Sequence, residues 1–276
     1  MELGISTLGH LIEIGLNGKF ENLFELQLKA SEECLNFAEQ HGIKIIELVL
    51  EPPEVFNDKH RQKFIDLVNS YSIEKQVHGP FIDINLSSHN NRISEASIDS
   101  YIESVKLCND IGVKMMTIHP GLGNFLLPSI RQINRIQLKH AIFRLLDYTI
   151  NENLMICLEN MPQNTHMMTD NKNIEEVFSM IGRKDLFLTY DTSHFYTCDG
   201  DVQHLWLTIH NSIKNVHLVD NFSKITDTHP PLGTGKINFK EIFDVIKKYN
   251  YKGPLIIELS DAKSLNQSIN FINKFL

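Results

Sequence analysis

The sequence predicts an α/β fold, a single (β/α)8 TIM barrel that takes up residues 1–276, and three observations support this prediction. Eight short apolar runs alternate strictly with eight longer amphipathic stretches, as in parallel strands that are connected by helices. Strands in such a sheet are buried on both faces, which explains why the runs are so apolar. The length of 276 residues suits a barrel of one domain. An open, doubly wound sheet would instead bind its ligand at one switch point.

The predicted strands and helices follow one another without a break in composition. The strands are expected at 3–6, 44–51, 75–79, 114–119, 155–160, 187–191, 214–220 and 254–260. The helices are expected near 25–41, 59–71, 94–111, 129–152, 173–182, 201–211, 238–249 and 264–275. Apolar spacing of three and four residues, as at Ile142, Leu145 and Leu146, and start signals such as Ser94 support the helices. The longest stretch without periodicity, 219–237, is predicted to be a functional loop.

Composition and charge narrow the classes of protein. Hydrophobic residues make up 42% of the chain and charged residues 22%, which is ordinary for a globular protein. The net charge of −8 argues against a broad nucleic-acid-binding surface. Four widely spaced cysteines, the lack of a signal-peptide pattern and the lack of an apolar run of about 18 residues predict a cytoplasmic protein that does not enter a membrane. The sequence leaves open whether identical chains associate into a homo-oligomer.

Potential metal ligands stand at or after the ends of six consecutive predicted strands, the third to the eighth. They are His78, His119, Glu159, Asp191, His194, His217, Asp227, His229 and Glu258. Hydrophobic packing does not require a His, Asp or Glu at the same place in run after run. Because the active sites of these barrels lie at the carboxyl ends of the strands, we predict a metal-centred site there. The expected cofactor is a divalent metal ion such as zinc, manganese or magnesium.

Position along the chain divides these ligands into three groups. A quartet that ends the last four strands comprises Glu159, Asp191, His217 and Glu258. Its three carboxylates and one imidazole suit a divalent cation such as manganese, magnesium, cobalt or zinc. A pair comprises His78 and His119, and a trio comprises His194, Asp227 and His229. The trio could hold a further ion or contact an anionic substrate. Gly233 and Gly235, which follow the trio, could let the backbone approach a ligand, and a plain surface turn explains them equally well.

Several motifs, taken in order, resemble the xylose-isomerase-like TIM barrel superfamily. They are VHGPFIDIN, TIHPG, LEN, YDTSH, VHLVD, DTHPPLGTG and IIEL. This superfamily includes sugar isomerases and epimerases as well as the endonuclease IV enzymes. The endonuclease IV branch binds three zinc ions through nine ligands, and each of them has a counterpart here. The quartet by itself resembles the single-metal site of ketose epimerases, whose two metal-bound glutamates are the acid–base pair.

The resemblance implies two functions. The first is a metal-dependent sugar or sugar-phosphate isomerase or epimerase, with Glu159 and Glu258 as catalytic residues and with substrate contacts from His194, Phe81 and the two glycines. The alternative is a zinc-dependent AP endonuclease, for which DNA would be the partner. The chain departs from the endonuclease branch in reading Ser193 where those enzymes have Cys, and in lacking an Arg- and Trp-bearing loop at 51–55. We therefore favour the sugar enzyme.

Overall fold

Eight parallel strands close into a barrel in chain order, from β1 round to β8 and back to β1. The structure is a computed structural model that describes residues 1–18 and 20–276, with Asp58 described for its backbone alone. The strands are β1 Glu2–Ser6, β2 Ile45–Val49, β3 Glu74–His78, β4 Met115–Ile118, β5 Met155–Glu159, β6 Leu186–Asp191, β7 Ile213–Leu218 and β8 Pro254–Ile257. The predicted TIM barrel and all eight predicted strands are confirmed.

Helices surround the barrel and cover its outer face. They are α1 Leu8–Asn17, α2 Leu23–His41, α3 Asp58–Asn69, α4 Asn91–Ile111, α5 Arg131–Thr149, α6 Asn171–Ile181, α7 Thr192–Thr197, α8 Val202–Ile209, α9 Phe239–Lys248 and α10 Leu265–Ile272. Eight of them correspond to the predicted helices, and α1 and α7 are additional. Within the described part of the chain, none of these helices has both the length and the apolar character needed to cross a membrane.

The ends of the helices follow the capping preferences of their residues. Gly42 and Gly112 end α2 and α4 in the left-handed conformation, with φ of 67° and 73°. The start of α4 differs from the prediction, because Asn90 rather than Ser94 is its N-cap and accepts a hydrogen bond from the Arg92 backbone N–H. Ser94 lies inside the helix, where its hydroxyl donates to the Leu86 carbonyl at 2.9 Å.

Two kinds of core lie on the two sides of the strands. Between the barrel and its helices the core is apolar and includes the buried rings of Tyr101, Tyr190 and Trp206. Inside the barrel, below the carboxyl ends of the strands, there is a polar layer. Its members are Glu47, Gln76, Thr117, Thr189 and Asn215, all of which are buried. A buried polar layer of this kind is stable only when its groups are hydrogen-bonded to one another.

Candidate metal centre

The carboxyl ends of the strands bring the nine predicted ligands together at one mouth of the barrel. Ligand atoms lie within 4.8 Å of one another in each of the groups His78–His119–Glu159, Glu159–Asp191–His217 and His194–Asp227–His229. Glu258 forms a fourth group of this kind with Glu47 and His217. Each predicted position is thus part of one continuous cluster, in which Glu159 and His217 each belong to two groups.

Glu159 lies at the centre of this cluster and presents one carboxylate oxygen to each side. Oε2 lies 3.3 Å from His78 Nε2 and 3.0 Å from His119 Nε2. Oε1 lies 3.2 Å from His217 Nδ1 and 3.4 Å from His194 Nδ1. Burial favours the neutral acid, but the rings of His217 and His119 outweigh it and hold the pKa of Glu159 well below its usual value. A carboxylate in this position can contact two cations, one through each oxygen.

The quartet surrounds His217 Nδ1. Besides Glu159 Oε1, this nitrogen has Glu258 Oε2 at 3.6 Å and Asp191 Oδ2 at 3.9 Å. Asp191 uses its other oxygen to cap α7, where Oδ1 accepts the His194 backbone N–H at 2.7 Å. Its Oδ2 is buried and has no hydrogen-bond partner among the described residues. Burial raises the pKa of Asp191 to about 7 against the attraction of His194.

The unpartnered Oδ2 of Asp191 is one indication of whether the quartet fits a metal ion. A buried carboxylate oxygen without a donor is costly, and a bound divalent cation would remove that cost. The donor set of three carboxylates and one imidazole nitrogen is also one that hard and borderline divalent cations accept. The residues of the quartet therefore fit a divalent metal ion.

The trio forms a second polar cluster beside the quartet. Asp227 Oδ2 lies 3.0 Å from His194 Nε2 and 2.8 Å from His229 Nε2, while the Ser193 hydroxyl donates to Asp227 Oδ1 at 2.5 Å. His229 adopts a positive φ of 45°, which is uncommon outside glycine and which places its Nδ1 3.3 Å from Glu258 Oε1. Through Glu258, the trio and the quartet are in contact.

The backbone fixes the orientation of two of the histidine rings. His78 Nδ1 lies 2.7 Å from the Gly79 carbonyl, and His194 Nδ1 lies 2.9 Å from the Asn160 carbonyl. A carbonyl can only accept, so Nδ1 carries the proton in both rings, and the unprotonated Nε2 contacts Glu159 in His78 and Asp227 in His194. An outer hydrogen bond of this type is usual for histidines that bind metal ions.

Glu47 belongs to this cluster and was not among the predicted ligands. It lies in β2 with no exposed surface, and its carboxylate contacts His217 Nε2 at 3.1 to 3.2 Å. The signal in the sequence was an acidic residue in the middle of the apolar run IIELVL. A strand that is buried on both faces gives no reason for a charge at that place.

A cavity of about 540 Å³ opens above the cluster. Its polar floor is formed by His78, His119, His194, Asp227, His229 and Glu258. Leu8, Leu11 and Ile12 of the unpredicted helix α1 form much of one apolar wall. No Lys or Arg is found among the described residues that line this cavity. The lining of an adjoining cavity includes two cationic side chains, Arg131 and Lys224.

The predicted substrate contacts divide into two sets. His194 and Phe81 line the cavity. Gly233 and Gly235 do not, because their backbone N–H groups donate to Asp220 Oδ2 at 2.9 and 2.8 Å. The interpretation of these glycines as substrate-binding residues is therefore corrected: their lack of a side chain makes room for the Phe271 ring at Gly233 and for the Asp220 carboxylate at Gly235.

Comparisons with known proteins agree with this architecture. The family model described as xylose isomerase-like TIM barrel matches residues 35–275. The chain is 25% identical over 283 residues to the uncharacterised protein MJ1311 of Methanocaldococcus jannaschii, with 100% of this chain and 89% of the relative covered. It is 21% identical over 251 residues to a probable endonuclease 4 of Aquifex aeolicus, with 83% and 87% covered.

A solved structure shows the same fold over the whole chain. A D-tagatose 3-epimerase-like protein superposes with a TM-score of 0.82 and 23% identity, and the match covers 100% of this chain and 97% of that protein. At this identity the structural likeness concerns the fold, whereas the family model matches most of the sequence. The protein belongs to the xylose isomerase-like TIM barrel family.

Proposed function

We propose that this protein is a divalent-metal-dependent isomerase or epimerase of sugars or sugar phosphates, in which Glu159 and Glu258 transfer a proton. One observation carries the proposal. The two carboxylates approach the same nitrogen, His217 Nδ1, at 3.2 and 3.6 Å, and Glu258 lines a cavity of about 540 Å³ while Glu159 lies just below its floor. Two carboxylates that share one cation site beside a small cavity can act on opposite sides of a bound carbon atom.

The quartet would hold the cation. A divalent ion bound there would stabilise negative charge on the carbonyl and hydroxyl oxygens of an open-chain sugar. His194, whose ring lines the cavity, would contact a substrate oxygen. Phe81 also lines the cavity, and its backbone N–H donates to the Glu51 carboxylate at 2.6 Å, which holds this loop in place.

The protein's own part in the reaction is proton transfer. One glutamate, ionised, would accept the proton of the carbon beside the carbonyl, and the C–H electron pair would form a C=C bond as the carbonyl pair moves onto oxygen. The other glutamate, protonated, would return a proton to the opposite face, and the C=O bond would form again. The two side chains exchange protonation states in one turnover, so the step needs no co-reactant.

The cavity also indicates the size and charge of the substrate. Its volume suits a small molecule rather than a nucleic-acid duplex. Since its described lining lacks Lys and Arg, a phosphate group would have to lie in the adjoining cavity, beside Arg131. The two cavities share Pro162 and Asp227 in their linings, so one extended substrate could reach both.

Phosphodiester hydrolysis by an AP endonuclease is a second candidate. The contacts of the two Glu159 oxygens with different groups of ligands favour it. These oxygens face the two groups as those of a carboxylate that bridges two metal ions would. Nine ligands also exceed what a single ion needs. The charge of the site argues against this candidate, because contacts to DNA phosphates come mostly from Arg and Lys.

Solvent exchange would test the proposal without knowledge of the natural substrate. Protein loaded with manganese, magnesium or zinc would be incubated in D₂O with a panel of ketoses, aldoses and their phosphates, and NMR would record deuterium beside the carbonyl. We expect exchange with at least one sugar, loss of exchange in Glu258→Gln, and no change in the surface variant Glu103→Gln. Arg131→Gln should raise KM for phosphorylated members of the panel alone.

A nicking assay on an abasic duplex would run in parallel, at two salt concentrations. Robust cleavage by the same preparation, with no deuterium uptake in any sugar, would overturn the isomerase proposal in favour of the hydrolase. Elemental analysis would add the metal content per chain.

A further inference from the structure

Glu47 makes contacts that packing alone does not explain. Its Oε2 lies 3.2 Å from His217 Nε2 and also accepts hydrogen bonds from Gln76 Nε2 at 2.7 Å and Asn215 Nδ2 at 3.1 Å. The carboxylate has no exposed surface. Burying a carboxylate is costly unless it is paired with a charge or with strongly polarised donors. The partner that can be strongly polarised here is the imidazole of His217.

His217 has its two nitrogens on opposite sides. Nδ1 faces Glu159, Asp191 and Glu258, the three carboxylates of the quartet. Nε2 faces Glu47, a group that does not line the cavity. Both nitrogens have a carboxylate oxygen at 3.2 Å, and Asn215 Nδ2 also lies 3.0 Å from Nε2. A cation held by the three carboxylates of the quartet would need the lone pair of Nδ1, which leaves the single proton of the neutral ring on Nε2, where Glu47 can accept it.

The hydrogen-bond acceptor beside His217 Nε2 is of a different kind from the acceptors that orient His78 and His194. His78 has the Gly79 carbonyl on Nδ1, the nitrogen opposite the one that contacts Glu159, and the Nδ1 of His194 is bonded to the Asn160 carbonyl. His217 has a carboxylate on Nε2, opposite the nitrogen that faces the quartet, and a carboxylate is a stronger acceptor than a carbonyl. Such a partner both fixes the tautomer and raises the basicity of the nitrogen on the other side of the ring.

We propose that Glu47 is a positioning residue for the metal site: it accepts the Nε2 proton of His217 and so presents an unprotonated Nδ1 to a cation held by Glu159, Asp191 and Glu258. This inference rests on the metal site of the proposed function and not on the reaction. The hydrogen bonds from Gln76 and Asn215 hold the Glu47 carboxylate in place for this role.

Metal affinity tests the proposal, with cobalt(II) as a spectroscopic probe. Titration of the metal-free protein would give the dissociation constant, and the visible absorption of the bound ion would report its ligand field. In Glu47→Gln we expect affinity to fall about ten- to a hundredfold, with a shifted visible spectrum. Thr189→Val is the matched control, since Thr189 lies in the same buried layer but bonds to Thr117 instead of His217. It should lower stability and leave the affinity unchanged.

The tautomer of His217 can be measured in the wild-type protein, where no substitution can disturb folding. Long-range ¹H–¹⁵N correlation of ¹⁵N-histidine-labelled, zinc-loaded protein would assign the His217 tautomer, with His217→Gln to identify its signals. A proton on Nε2 and metal on Nδ1 are expected.

Three results would overturn the inference. They are a proton on Nδ1, an affinity of Glu47→Gln within twofold of wild type, and an equal loss of affinity in Thr189→Val. Absence of cobalt binding in the wild type would overturn the metal site of the proposed function as well, so the two failures are distinguishable.

Discussion

The buried carboxylate of Asp220 holds the loop that carries two of the three residues of the trio, Asp227 and His229, and its removal gives a quantitative prediction. Asp220 Oδ2 accepts the backbone N–H groups of Gly233 and Gly235 at 2.9 and 2.8 Å. Its Oδ1 accepts those of Asn221 and Ile237 at 2.8 and 3.2 Å. Asp220→Ala removes all four bonds. Three of them are only partly buried and can be replaced by water, so we count about 1 kcal/mol for each and expect a loss of about 4 kcal/mol.

Urea unfolding of the metal-free protein would measure this loss as a shift of the midpoint at unchanged slope. Asp220→Asn keeps one accepting oxygen and turns an NH₂ group towards the other two donors, so it should lose about half as much, roughly 2 kcal/mol. Gly235→Ala should also destabilise, because a Cβ there would lie 2.2 Å from Asp220 Oδ1. Gly15→Ala is its control: the new Cβ would meet only Leu26 Cδ2 at 4.0 Å, in a helix that gains from the exchange.

The result that refutes this reasoning is a loss below about 1 kcal/mol in Asp220→Ala, which would mean that water satisfies the four N–H groups as well as the carboxylate does. An equal loss in the Ala and Asn variants would show instead that negative charge, rather than the count of acceptors, holds the loop. The same loop carries Asp227 and His229, so a measured loss of stability should be accompanied by weaker metal binding at the trio.

Two further predictions concern the trio and a buried histidine. Asp227→Asn should keep most of the deuterium-exchange activity, because the quartet does not include Asp227. An exchange rate below about one hundredth of the wild-type rate, together with one metal ion fewer per chain in elemental analysis, would favour the hydrolytic alternative. Burial lowers the pKa of His10 to about 4 against the attraction of Glu13, so the folded state keeps this ring neutral. The contribution of the neutral His10 ring to the free energy of unfolding is therefore fully present above pH 6.5, and about 3 kcal/mol of it is lost as the pH falls towards 4. In urea unfolding, the free energy of unfolding of His10→Phe should fall by about 3 kcal/mol less than that of the wild type over this pH range. The same pH dependence in both proteins would contradict a lowered pKa of His10.

The sequence predicted most of the fold because the strands of this barrel are short, apolar and regularly spaced. The helix α1 escaped prediction for physical reasons: Thr7 makes no capping bond, the first turn has no acidic residue, and Gly9 and Gly15 lower its helix propensity. The helix α7 has only six residues, too few to show a period, and is started by the Asp191 side chain. Both follow directly on strand ends, where they form part of the site.

The residues of the candidate site were predictable where they stand at a strand end or in the loop that follows it, and were missed where they lie inside a strand. All nine predicted positions meet because the carboxyl ends of parallel strands share one face of the barrel. Glu47 lies two residues before the end of β2, and only the interior of the closed barrel brings it to His217. The glycines at 233 and 235 correctly indicated a close approach to the backbone, but the sequence does not say that the approaching groups are the Phe271 ring at Gly233 and the Asp220 carboxylate at Gly235.

The two glutamates of the quartet are not equivalent, and this asymmetry determines which reaction the site supports. Glu258 lines the cavity and can meet a substrate carbon directly. Glu159 lies below the floor, 1% exposed, with Oε2 held by the His78–His119 pair. If the pair binds no ion, these are hydrogen bonds that a substrate can replace, and Glu159 can serve as the second proton carrier. If the pair binds a cation together with Oε2, Glu159 is a bridging ligand and only hydrolysis is supported. Occupancy of the pair, rather than of the quartet, therefore distinguishes the two functions.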